Sequence, residues 1–165
     1  MLKKTVVSAA VATMIAGTVA APAMPMNGTF WVHYDKQSPQ PTGPDRVQID
    51  ESGSGVNGGP GQPLDNAQVT LEDSVTLVKG QGPVKGRITL TTPDGSVTST
   101  LQGKVTTDPQ GRLMAVGSSK VVEATGAFVG MKGNGNFTTT FSSPTDQVTQ
   151  WQGNFKPPAG MASNR

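Results

Sequence analysis

The chain has 165 residues, with 13 Lys and Arg, 11 Asp and Glu, one His and no Cys. That length suits one domain. The missing thiols exclude disulfides, thiolate metal sites and a cysteine nucleophile, and a single histidine excludes multi-His zinc centres and paired-histidine acid–base schemes. Lys3 and Lys4 fall in an expected leader, so the remaining charges balance at 11 against 11 and leave no electrostatic footprint for nucleic acid or anionic lipid.

The chain opens MLKK, continues through TVVSAAVATMIAGTVA and reaches the small-residue site Ala21-Pro22-Ala23. A basic start, a short apolar run and an A-x-A site predict an export signal over residues 1–23. The apolar run is shorter and more polar than the ~20 residues of a membrane span. The expected product is exported, periplasmic or secreted, with no membrane anchor once the leader is cut.

Residues 24–63 read as an N-terminal arm with one or two strands and a glycine-rich loop. Phe30, Val32 and Tyr34 alternate with Trp31, His33 and Asp35, which predicts a short edge strand. The stretch SGSGVNGGPGQP (52–63) reads as a flexible loop.

From 64 to 156 the chain reads as the body of an all-β domain. In AQVTLEDSVTLV the positions Ala67, Val69, Leu71, Val75 and Leu77 share one face. Val84, Gly86, Ile88 and Leu90 share another, as do Val97, Leu101, Gly103 and Val105. Residues 112–122 have a blurred period that leaves their facing open. The runs FTTTF (137–141) and QVTQWQGNF (147–155) complete the set, with Trp151, Gly153 and Phe155 on one side. The sequences TPDG (92–95), DPQG (108–111) and SPTD (143–146) mark turns, since Pro presets φ and Gly accepts positive φ. About seven to eight antiparallel strands in sequence, each with one apolar face, must roll up to bury it. A closed up-and-down β-barrel does this and removes exposed edges. The tail 157–165 has no periodicity and reads as flexible.

The glycine-rich stretch VVEATGAFVGMKGNGNF (121–137) poses a choice between a phosphate loop and a chain crossing. A phosphate loop needs glycines between a strand and a helix. Here Gly126, Gly130, Gly133 and Gly135 fit neither nucleotide-binding spacing, and a strand pattern follows. The segment therefore reads as a tight strand-to-strand crossing, with Gly126, Gly130 and Gly133 at its bends and Phe128 plugging a barrel end.

Residues 125–135, TGAFVGMKGNG, resemble the G-T-G-x-F-x-x-A-x-G segment of the allene oxide cyclase and dirigent barrel superfamily. Around them, residues 64–155 are similar in layout, with a G-x-I-T-L strand and a D-G-S turn at Asp94-Gly95-Ser96. Two departures are Glu123-Ala124 in place of Gly-Gly and Met131 in place of Ala. The resemblance implies an eight-stranded antiparallel barrel, often trimeric, with an apolar lumen that holds a hydrophobic small molecule.

Three carboxylates fall in phase with apolar neighbours: Asp73 with Leu71 and Val75, Glu51 with Val47 and Ile49, and Glu123 with Val121. A carboxylate in a barrel lumen would be desolvated, with its pKa raised and its proton available for acid–base work. The alternatives are a bulge at Glu72-Asp73-Ser74 that turns Asp73 outward, and solvated strand ends for Glu51 and Glu123. Trp151, Phe155 and Phe137 are candidates to line a ligand site. His33 reads as an exposed structural residue. No metal site and no cofactor are expected.

Three functions fit these features: an exported barrel binding a small apolar ligand in its lumen, an isomerase, cyclase or dirigent-like protein using one buried carboxylate, and a structural or interaction protein with a side-chain-filled barrel. Asp73 pointing into a continuous lumen favours the second, and a filled interior the third.

Overall fold

The computed structural model describes residues 22–158. The expected leader, apart from Pro22 and Ala23, and the tail beyond Pro158 lie outside them. Eight strands follow one another: β1 (Met24–Gly43), β2 (Arg46–Gly58), β3 (Gln68–Val78), β4 (Gly82–Thr92), β5 (Gly95–Thr107), β6 (Leu113–Ala124), β7 (Lys132–Phe141) and β8 (Asp146–Lys156). A single 3-10 turn, Gly126–Phe128, joins β6 to β7. Each strand pairs antiparallel with the next, and β8 pairs back onto β1, closing an up-and-down barrel. Closure leaves no edge along most of the wall.

The expected N-terminal arm is instead part of that wall. Residues Met24 to His33 pair with β8, and Thr29 to Gly43 pair with β2. Half of what closes β1 into the wall is therefore a partner far along the chain; His33 and Asp146 lie 113 residues apart. No local pattern announces such pairing. The polar, proline-rich continuation survives as strand because β1 keeps only β2 as a neighbour beyond His33, and a one-sided strand tolerates Pro39 and Pro41. The expected loop at 52–63 is likewise mostly strand. Gly53 and Gly55 sit where β1 runs so close that a Cβ would strike backbone oxygens of His33 and Trp31.

Inward and outward positions alternate as the period-2 pattern predicts for β3, β4 and β5. In β6 the inward positions are small, Ala115, Gly117 and Ser119, which blurs the period. Phe137 explains why: a Cβ on Gly117 would lie 2.7 Å from its ring. The aromatic fills the space that β6 leaves.

The larger part of the core lies in the half of the barrel that holds both chain ends of the wall, and a smaller cluster of Val75, Val105, Ala115 and Phe137 lies beyond it. In the larger part Met26, Phe30, Leu64, Leu71, Ile88, Val97, Met131 and Phe155 pack around Phe128, which is 1% exposed. Gly126 has φ 58, a left-handed value natural to glycine. From it the 3-10 turn drops Phe128 into the barrel end. Gly130 also has positive φ, but Gly133 lies inside β7 in extended backbone, so it is not part of the bend. Its lack of a side chain makes room for Phe155, whose ring a Cβ there would meet at 2.6 Å.

Candidate functional site

The two barrel ends differ. Phe128, Leu64 and Met131 stopper one end, where the interior space among Met26, Leu90, Trp151 and Phe155 amounts to ≈ 40 Å³. That is room for about one water molecule. A second small space of ≈ 30 Å³ lies beside Tyr34 and Asp73. The other end is open. There a cavity of ≈ 500 Å³ is lined by Pro39, Ile49, Val75, Leu77, Leu113 and Phe141, together with Gln37, Glu51, Arg112 and the 142–144 turn. Its size falls within the range of ligand pockets, roughly 300–1,000 Å³. Val75, Val105 and Phe141 line both the mouth cavity and the small space by Asp73, so the two adjoin across these side chains.

The mouth exists because β1 and β2 overshoot the barrel. Beyond the irregularity between Tyr34 and Lys36, β1 leaves β8 and continues as a hairpin with β2. Gln37 Nε2 donates to the Pro144 carbonyl at 2.9 Å, and Tyr34 N donates to the Thr145 carbonyl at 2.7 Å. These bonds tie the overhang to the β7–β8 turn across the gap.

Glu51 lines this cavity, and Asp73 stands beside it on the small inner space. Asp73 points inward, so there is no bulge at residues 72–74. Its direct cross-strand partner is Glu51. Tyr34 Oη donates to Asp73 Oδ2 at 3.0 Å and also lies 3.3 Å from Gln147 Oε1. Oδ1 of Asp73 is buried with no hydrogen-bond partner. An unpaired anionic oxygen is costly there, whereas a protonated one can donate to Glu51. Burial first, and then the neighbouring Glu51 charge, push the Asp73 carboxyl up to about 7. Burial also raises Glu51, against the stabilising hydrogen bond that Gln37 Nε2 gives it at 2.6 Å. The Tyr34 hydroxyl is raised by burial and by the Asp73 charge, so it stays a hydrogen-bond donor. Two facing carboxyls thus sit beside an apolar chamber, with the phenol as a hydrogen-bond donor to one of them.

Glu123 takes no part. Val122 is an extra residue opposite the Thr98–Ser99 step, so the phase set by Val121 reverses and Glu123 faces solvent. The bulge considered for Asp73 occurs in β6 instead. Trp151, Phe155 and Phe137 all point inward, but toward the stoppered half and its boundary. Trp151 and Phe155 meet edge-to-face with centroids 6.0 Å apart, and Trp151 Nε1 donates to Asn57 Oδ1 at 2.8 Å. These rings fill space and do not line the mouth cavity. His33 is exposed and binds Asp146 through Nδ1 at 2.8 Å.

Tyr34, Gln147 and Gln37 were not singled out from the sequence. Tyr34 was legible only as an inward aromatic in the 30–34 alternation. Nothing local connects it with residues 39 and 113 positions away. Among the described residues, no group of three or more His, Cys, Asp or Glu side chains is arranged to hold a metal ion.

No protein-family model matches the chain, and no curated protein matches it. Among solved structures, it is similar to a pterocarpan synthase dirigent protein, with 12% sequence identity and a TM-score of 0.48, over 92% of this chain and 98% of that one.

Proposed function

We propose that the protein binds a small apolar molecule carrying a carbonyl or hydroxyl oxygen in the mouth cavity, and that Asp73 and Glu51 move a proton on it. The observation that carries this reading is the pairing of Asp73 with Glu51, which lines a ≈ 500 Å³ apolar chamber. The interior behind them is filled, so the ligand sits in the mouth and not deep in the lumen. Near pH 7 Asp73 is poised between its two forms, where a group can both give and take a proton. In one cycle Asp73 O–H protonates a ligand carbonyl oxygen while ionised Glu51 removes a proton from the adjacent carbon to give the enol. Glu51 then returns a proton to carbon as the enol O–H returns its proton to Asp73, which restores both carboxyls. The result is a redox-neutral isomerisation that needs no cofactor. Val75, Val105 and Phe141 exclude water from the reacting end. The leader-like residues 1–23 support an exported site of action.

Two probes test this reading: 2-naphthol for binding and 2-cyclohexenone for proton transfer in D₂O. Calorimetry should show saturable binding of 2-naphthol that Leu113→Arg weakens at least tenfold. Solvent deuterium should enter the ketone beside its carbonyl with the natural chain and not with Asp73→Asn. Binding without exchange removes the proton-transfer step. Absence of binding by either probe removes the site.

A further inference from the structure

The outer wall carries a second recess, unconnected with the acidic mouth. A groove of ≈ 430 Å³ runs across β1, β8 and β7, bordered by Gly58, Gly59 and Pro60 where β2 ends. Register places its side chains in two rows. Asn27, Gln152 and Asn136 form one, and Thr29, Gln150 and Thr138 the other. The next row toward the mouth is Trp31, Val148 and Thr140. None of these nine side chains is charged, although charged residues occupy the outer faces of β4 and β5 at Lys85, Arg87 and Lys104. Trp31 is 52% exposed, and its ring lies over Gly58, where a Cβ would be 3.1 Å away. The ring's edge therefore lies against the wall beside the groove.

Each chemical feature restricts the occupant. Carboxamides offer two donors and two acceptor lone pairs in one plane, and hydroxyls offer both roles. Such a set matches vicinal hydroxyls, which are likewise donor and acceptor together. A flat exposed indole adds an apolar face for C–H groups. The absence of Lys and Arg from the rows argues against nucleic acid, whose affinity comes from neutralised phosphates. A protein interface would carry an apolar, aromatic-rich centre, and here the groove's own two rows are polar, with Trp31, Val56 and Val148 only at the margin. Neighbouring strands lie roughly 4.7–4.9 Å apart, close to the length of one sugar unit in an extended glycan. A chain crossing the strands would thus present successive units to Asn27, Gln152 and Asn136. We infer that this face binds a neutral, extended polysaccharide, with the two amide–hydroxyl rows taking its hydroxyls and Trp31 stacking on one ring.

The test titrates the ¹⁵N-labelled full chain with cellohexaose, chitohexaose and laminarihexaose, and with a sulfated heparin hexasaccharide as the charged control. At least one neutral oligomer should shift the side-chain NH₂ signals of Gln150 and Gln152 and the Trp31 indole, saturating with Kd about millimolar or tighter. The double variant Gln150→Ala/Gln152→Ala changes two exposed residues. It should retain the rest of the spectrum and lose about tenfold in affinity, and Trp31→Ala should weaken binding separately. The proposal is overturned by no saturable shift with any neutral oligomer, by equal binding in the double variant, or by equal binding of the sulfated control. It is also overturned if self-association of the chain protects this face at the concentrations used.

Discussion

Glu51 and Asp73 stand directly opposite one another on β2 and β3, both on the inward face, with the Tyr34 hydroxyl 3.0 Å from Asp73 Oδ2. Because Asp73 is raised to about 7 in the folded protein, against roughly 3.9 in an unfolded chain, the folded state holds this proton more tightly. Its contribution to stability is fully present below about pH 4 and is lost as pH rises through about 7. The loss is on the order of 4 kcal/mol. A set of thermal melts from pH 4 to 8 should show the melting temperature falling across that window. Asp73→Asn should flatten the fall and leave the protein at least as stable above pH 7. A pH-independent melting temperature in the natural chain would show that Asp73 ionises freely.

Tyr34→Phe removes the one donor that stabilises the Asp73 carboxylate and leaves Gln147 Oε1 without that contact. Loss of a buried hydrogen-bonded hydroxyl costs about 1–3 kcal/mol. The Asp73 pKa should rise further, since hydrogen bonding to the charged form is lost. Carbon-13 titration of the Asp73 carboxyl measures this. A lowered pKa in the variant would contradict the hydrogen-bond assignment.

The stoppered end rests on Phe128 and on the bend that delivers it. Phe128→Ala should cost about 3–5 kcal/mol, read from denaturant unfolding. Gly126→Val combines a positive φ with a Cβ directed at the Asp94 carbonyl oxygen, so it should destabilise by at least a comparable amount. Retention of near-natural stability by Gly126→Val would refute the crossing geometry.

Asn57 is 0% exposed and joins two halves of the stopper. Its Nδ2 donates to the Leu64 carbonyl at 2.7 Å, and its Oδ1 accepts from Trp151 Nε1 at 2.8 Å. Asn57→Leu orphans both buried partners and should cost about 2–5 kcal/mol. Hydrogen exchange should locate the loosening in the 59–67 loop. A uniform loss of protection around the barrel would place the effect elsewhere.

His33 and Asp146 pair at the point where β1 leaves β8. The hydrogen bond that the imidazole gives to Asp146 raises its pKa. Ser143, then His33 and Thr145, lower Asp146 to about 2. The histidine's share of stability is present below about pH 6.5 and fades as pH rises through its folded pKa. The aspartate's share is present above about 4 and fades toward 2. Imidazole proton shifts should give His33 a midpoint above 6.5, and Asp146→Asn should bring it down. An unchanged midpoint in that variant would dissolve the pair.

The sequence alone determined which segments are strands from residue 67 onward, which faces of β3, β4 and β5 turn inward, and that the glycine segment is a plugged crossing. These are local properties. A period of two, a Pro-Asp-Gly turn and one aromatic among glycines each act within a few residues of chain. Tertiary structure decided the rest. The polar, proline-bearing run from Lys36 to Gly43 and the glycine-rich run of β2 are strands because of partners their own residues do not specify. The reversal of Glu123 comes from one extra residue, Val122, whose position is set by pairing with β5. Asp73 could be read as inward, but its meeting with Glu51 and Tyr34 required the register of three strands at once. The displacement of free space from the lumen to the mouth followed from volume. Phe137, Trp151 and Phe155 fill gaps left by glycines on neighbouring strands, and packing of that kind exists only once the barrel has closed.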